Sequence, residues 1–156
     1  MKVGFYTLGC KVNQYETQAM EQILLEKGHE VASLKDLCDA YIINTCSVTA
    51  VADKKNRAVI RRVRRDAPNA VLAVCGCYTQ HAAEKLEGMG IDVIGGSSQR
   101  VEFLEKVMEA VQTRQKATVL DAALKRRSFE VLPAGGLEGR TRAMLKVQDG
   151  CVNVCS

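Results

Sequence analysis

Lys2-Val3-Gly4-Phe5-Tyr6-Thr7-Leu8-Gly9-Cys10-Lys11-Val12-Asn13-Gln14-Tyr15-Glu16 opens the chain, and its reading decides the fold. Residues 2–8 are rich in strand formers and stop at Gly9. Asn13 is a good helix cap with Glu16 three residues later, so a helix is expected over 14–27, closed by Gly28. Met20, Ile23 and Leu24 form its apolar stripe. Strand, glycine turn and helix make one βα unit, and the rhythm repeats outward from it. Short strands are expected at 29–34, 40–45, 70–75 and 91–94. A helix is expected from Val48 or Ala50 to Asp66, with Pro68 beyond its end. Thr79 is read as the cap of a short helix with Ala82, Leu86 and Met89 on one side. Ser98 is read as the cap of another, carrying Val101, Leu104, Met108 and Val111. Such alternation predicts an α/β fold: a flavodoxin-like, doubly wound parallel sheet of about five strands, in the order 2-1-3-4-5.

The pattern fills residues 1–113 and then stops. Residues 114–139 read as a linker, with one candidate strand at 117–120 and the turn-like Pro133-Ala134-Gly135-Gly136. Residues 140–147 alternate like a new strand, and residues 140–156 read as the start of a second unit that is cut short. The chain is therefore expected to be an amino-terminal fragment.

Composition narrows the chemistry. Of 156 residues, 47% are hydrophobic and 26% charged, which argues against long disorder or a coiled coil. Apolar runs are too short for a membrane-spanning helix, and the first residues begin a strand rather than a signal peptide. Seven cysteines, an odd number, with no secretion signal argue for a reducing cytoplasm and metal or redox chemistry rather than a disulfide framework. The net charge of +4 permits a nucleic-acid partner without demanding one.

The cysteines have a positional logic. Cys10, Cys46 and Cys77 each follow the end of a predicted strand. Parallel strands share their carboxyl edge, where doubly wound folds bind ligands, so three thiols distant in sequence are expected to converge there. Each also precedes a helix, whose dipole favours thiolate. Soft sulfur ligands select zinc or an iron–sulfur cluster. A cubane held by three cysteines keeps one iron corner open, whereas structural zinc wants a fourth ligand and none is apparent. Free cysteine is also simply a small buried hydrophobe, and Cys38 and Cys75 are read that way. Asn13, Asn44, Thr45 and Gln80 flank the expected site, with Asn13 assigned to helix capping. Cys151 and Cys155 form a separate C-x3-C pair.

Thr7-Leu8-Gly9-Cys10-Lys11-Val12-Asn13-Gln14-Tyr15-Glu16-Thr17, Asn44-Thr45-Cys46-Ser47-Val48 and Gly76-Cys77-Tyr78-Thr79-Gln80 together resemble the amino-terminal domain of radical-SAM methylthiotransferases. Gln148-Asp149-Gly150-Cys151-Val152-Asn153-Val154-Cys155-Ser156 resembles the start of that family's radical-SAM core. The resemblance implies an auxiliary [4Fe-4S] cluster on Cys10, Cys46 and Cys77, whose open iron carries the sulfur to be transferred. It implies a second [4Fe-4S] cluster that chelates S-adenosylmethionine, with Cys151 and Cys155 matching its first two ligands. The third falls two positions beyond Ser156. The motif after the first Gly-Cys is most similar to the branch that converts N6-threonylcarbamoyladenosine at tRNA position 37 to its 2-methylthio derivative. The isopentenyladenosine and ribosomal-protein branches are the alternatives, as is an iron–sulfur or zinc redox module without catalysis. The implied partners are the tRNA anticodon loop and an electron-donor protein, with no membrane. In that setting Arg57, Arg61, Arg64 and Arg65, on the basic side of the second predicted helix, become candidate tRNA contacts, against the alternative of a solvated face.

Overall fold

The computed structural model describes residues 1–47, 49–121, 130–133 and 146–148. Its elements are β1 (Lys2–Thr7), α1 (Lys11–Glu26), β2 (Glu30–Ser33), β3 (Ala40–Thr45), α2 (Ala50–Asp66), β4 (Val71–Gly76), α3 (Cys77–Ala82) with a 3-10 turn at Ala83–Leu86, β5 (Val93–Gly95), α4 (Arg100–Thr113) and β6 (Ala117–Val119). All pairings are parallel, in the order β2-β1-β3-β4-β5-β6. This is the expected α/β architecture, and the candidate strand at 117–120 joins the sheet as a sixth strand. β6 falls inside 114–139 and pairs with β5 through Val93–Ala117, Ile94–Thr118 and Gly95–Val119, so the sheet runs past residue 113.

The centre of the sheet is apolar on both faces, as parallel strands under helices must be. Every residue of β3 and β4 is buried. Alternation divides them between two cores. Ile42, Ala73 and Cys75 join Val3 and Phe5 against Met20 and Leu24 of α1 and Phe103, Leu104 and Val107 of α4. Tyr41, Ile43, Leu72 and Val74 face Ile60 and Val63 of α2, together with Tyr78 and Leu86. Each fully buried large apolar side chain contributes about 1.5–3 kcal/mol, so these two layers carry the fold.

Helix starts depart from the expectation. α1 begins at Lys11 with Cys10 at its cap position, and Asn13 lies inside it, buried, so Asn13 is no cap. Glu16 closes no capping box either; it is buried and paired with Arg100. α3 starts directly at Cys77. Thr79, buried within it, bonds the carbonyls of Gly76 and Gly95. α4 is preceded by Gln99 in the left-handed region at φ 55°, without a side-chain cap. Its first N–H groups are met from outside: Glu130 Oε1 accepts from the backbone of Arg100 at 2.5 Å and of Val101 at 3.4 Å. Ser98 instead bonds Asp121. The inner face of α4 is Arg100, Phe103, Leu104, Val107 and Ala110, rotated by one position from the expected stripe, and Val101 is 41% exposed. A buried arginine at the head of the helix defeats a reading by hydropathy alone. Cys151, Cys155, residues 125–127 and most of the strand expected at 140–147 lie outside the described residues.

Candidate functional site

β1, β3 and β4 are neighbours, and their register aligns Thr7 with Asn44, Asn44 with Cys75 and Thr45 with Gly76. The strands end level, so the segments holding Cys10, Cys46 and Cys77 leave the sheet at one carboxyl edge, beside the point where strand order reverses between β1 and β3. Cys10 is exposed, Cys46 buried and Cys77 half-buried, and all three are free thiols.

Two glycines let the segments come this close. Gly9 has φ +109°, and a Cβ there would strike Cβ and Sγ of Cys46. Gly76 has φ +107°, and a Cβ there would strike the Thr45 carbonyl. Only a residue without a side chain fits both the backbone angle and the contact.

A buried polar network ties the three loops. Asn13 Nδ2 donates to the carbonyls of Leu8 at 2.9 Å and Thr45 at 2.8 Å. Asn13 Oδ1 accepts from the Cys10 thiol at 3.4 Å. Asn44 Nδ2 donates to the Asn13 carbonyl at 3.0 Å and to Thr17 Oγ1 at 3.2 Å. Thr45 Oγ1 donates to the Cys75 carbonyl at 2.6 Å. Asn56, fully buried on α2, donates to the Cys46 carbonyl at 2.7 Å. Gln80 reaches away from the thiols, to the Asp121 carbonyl at 2.9 Å. Asn13 thus positions the Cys10 segment against the end of β3, a role that hydrogen-bonded buried amides perform well and a cap does not. Asn56 was missed from sequence, although it sits four residues before Ile60 on an otherwise apolar stripe. A polar residue at a core position of a helix is the signal that could have found it.

Electrostatics qualify the expectation of easy thiolates. Burial pushes the Cys77 thiol up, and negative charge at Glu16, Cys46 and Cys10 pushes the same way, against a smaller opposing pull from Arg100. Desolvation and like charge thus both oppose ionisation of this thiol. Cys46 does not abut a helix; Thr49 caps α2 by accepting from Ala52 N at 3.1 Å. Cys75 is fully buried, and burial raises its thiol to about 11, the behaviour of a core residue. Cys38 lies before β3, at the opposite edge of the sheet, 3.5 Å from the Asp36 carbonyl.

The donor set is three soft sulfur ligands, which suit zinc or an iron–sulfur cluster. Among the described residues, no group of three or more His, Cys, Asp or Glu side chains is placed to hold a metal ion. A cubane takes each thiolate on a different corner, so its ligands need not meet at a point. Cys10, Cys46 and Cys77, on three strand ends and within electrostatic reach of one another at Cys77, suit that demand.

The arginines of α2 do not form one patch. Arg57 donates to the buried Tyr78 hydroxyl at 2.7 Å, next to Cys77. Arg64, about two turns further on, binds the Pro68 and Ala70 carbonyls and pairs with Asp92 at the amino edge of the sheet. Arg65 pairs with Asp66 on the surface, and Arg61 is exposed. Among the described residues no helix is long and apolar enough to cross a membrane.

The family described as "Uncharacterized protein family UPF0004" matches residues 2–96. The "Threonylcarbamoyladenosine tRNA methylthiotransferase MtaB" of Bacillus subtilis (strain 168) is 42% identical over 155 residues, covering 99% of this chain and 34% of that protein. The protein of the same name from Aquifex aeolicus (strain VF5) is 35% identical over 160 residues, covering 100% of this chain and 38% of that protein. The "Ribosomal protein uS12 methylthiotransferase RimO" of Roseiflexus castenholzii (strain DSM 13941 / HLO8) is 34% identical over 137 residues, covering 86% of this chain and 28% of that protein. The chain thus spans about a third of the length of the curated relatives it matches.

Proposed function

The chain belongs to the UPF0004 family, its relatives are named methylthiotransferases, and on that footing we propose that it is the amino-terminal, cluster-holding part of a radical-SAM tRNA methylthiotransferase. The whole enzyme converts N6-threonylcarbamoyladenosine at position 37 of the anticodon loop to its 2-methylthio derivative, in the cytoplasm, with electrons from a donor protein. The relatives of Bacillus subtilis and Aquifex aeolicus named for that substrate, 42% and 35% identical over nearly the whole chain, support this branch. The observation that carries the reading is the placement of Cys10, Cys46 and Cys77 at the ends of β1, β3 and β4.

Those three thiols hold the auxiliary [4Fe-4S] cluster. A cluster bound there supplies an iron corner without a protein ligand, able to hold the sulfur that is transferred. The chain's own residues do the rest. Asn13 orients Cys10, Asn56 fixes the Cys46 carbonyl, and Gly9 and Gly76 keep the segments in contact. Cys151 and Cys155 contribute to the second [4Fe-4S] cluster, which binds S-adenosylmethionine. Arg57, Arg61 and Arg65 contact tRNA phosphates, while Arg64 is committed to Asp92.

Anaerobic reconstitution tests the ligand set. About four irons and four sulfides per chain are expected for one cubane. Cys46→Ala loses them and Cys38→Ala keeps them; equal loss in both variants refutes the assignment. For the arginines, charge reversal at Arg61 and Arg65 in the full-length enzyme flattens the salt dependence of tRNA binding, whereas an unchanged slope leaves them a solvated face.

A further inference from the structure

α1 carries a buried polar line that begins at the thiol edge and runs inward. Asn13 bonds the Cys10 thiol. One helical turn on, on the same face, stand Glu16 and Thr17, each 5% exposed. Glu16 Oε2 accepts a 2.6 Å bond from Nη2 of Arg100, whose side chain is wholly buried. Arg100 Nη1 donates to the Gly96 carbonyl at 2.7 Å. The same carbonyl accepts the backbone N–H of Gly76 at 2.9 Å, one residue before Cys77. The ion pair therefore joins the Cys10 helix to the frame of Cys77 through one shared oxygen. Arg100 Nε has no partner among the described residues, and Lys146 Nζ stands 4.0 Å from Glu16 Oε1.

A buried Arg–Glu pair is a weak device for stability, because desolvating two ions offsets most of their attraction and apolar residues of like volume do as well. This pair lies under the thiol edge, where its field acts on whatever the thiols hold. We infer that Glu16 and Arg100 are positioning residues that set the electrostatic environment of the Cys10–Cys46–Cys77 site and thereby the reduction potential of the iron–sulfur cluster proposed there. The inference rests on the proposed function. Iron–sulfur potentials follow the net charge and hydrogen bonding around the cluster, and buried charges are poorly screened. The two residues then act with opposite sign. Loss of the Glu16 charge removes the anion paired with Arg100 and makes electron uptake easier. Loss of the Arg100 charge leaves the Glu16 anion and makes it harder.

The test is a redox titration of the anaerobically reconstituted chain, followed by visible absorbance and electron paramagnetic resonance. Wild type is compared with Glu16→Gln, Arg100→Gln and Arg100→Lys. Glu16→Gln keeps the shape and an oxygen acceptor for Arg100, so it folds. A midpoint potential above wild type in Glu16→Gln, below it in Arg100→Gln and restored toward it in Arg100→Lys is the expected result. A purely structural role predicts no such reversal of sign. If Arg100→Gln does not fold, the direction in Glu16→Gln decides alone. A cluster whose potential is unmoved or lowered in Glu16→Gln overturns this inference and leaves the proposed function standing. Wild-type chain that takes up no iron and sulfide overturns both.

Discussion

Cys75 and Cys77 lie two residues apart and live in different solvents. Cys77 has left the sheet and is half-buried at its edge, while Cys75 is a β4 residue packed among Val3, Phe5 and Phe103. The consequence is a pH dependence. Burial raises the Cys75 thiol from 9.0 to about 11 in the folded chain. Below pH 9 both folded and unfolded chains keep the proton and the thiol has no effect on the balance. Between pH 9 and 11 the unfolded chain releases it and the folded chain does not, so stability falls as pH rises, by about 3 kcal/mol in all. Chemical denaturation across this window checks it. Cys75→Ala is less stable throughout, through lost packing, but its stability falls by about that much less between pH 9 and 11. Among Cys10, Cys38, Cys46, Cys75 and Cys77, the exposed Cys10 is alkylated first in metal-free protein and Cys75 last.

At the scale of elements, α1 and α4 show how far a helix end depends on what lies elsewhere in the chain. α4 has an uncapped start in the left-handed region, and Glu130 caps it from thirty residues away. A carboxylate at a helix amino end satisfies orphaned N–H groups and complements the dipole. Glu130→Ala is therefore expected to cost about 1 kcal/mol and to lower the melting temperature, with partial recovery in Glu130→Gln. Thermal unfolding followed by circular dichroism measures both. No local motif announces Glu130, since its partners are backbone groups of another element. α2 behaves in the opposite way: Thr49, Asp53 in the first turn and Arg64 and Arg65 in the last obey local rules, and its span matched the expectation.

The whole molecule is larger than the repeating pattern suggested. β6 extends the sheet, Gly96 N donates to the Val119 carbonyl at 2.8 Å, and Leu132 is buried against Tyr15 and Ala19 of α1. A chain ending at residue 113 loses these and exposes the edge of β5. Against a chain ending at 133 it is expected to lose on the order of 3 kcal/mol or more in urea unfolding, from Val119 and Leu132 alone; equal stability would mean that the sheet ends at β5. The chain's own residues determined the alternation of strands and helices, the strand order and the edge to which Cys10, Cys46 and Cys77 come. These follow from hydrophobic period, turn residues and the geometry of parallel sheets, all of which are local or topological. Only the tertiary structure decided that Asn13 braces a thiol instead of capping a helix. It also decided that Arg64 is spent on Asp92, and that Glu16 and Arg100, 84 residues apart, meet inside the core. Polar residues are read as surface because an isolated charge belongs in water. Their burial depends on a partner, and the partner comes from a distant part of the chain.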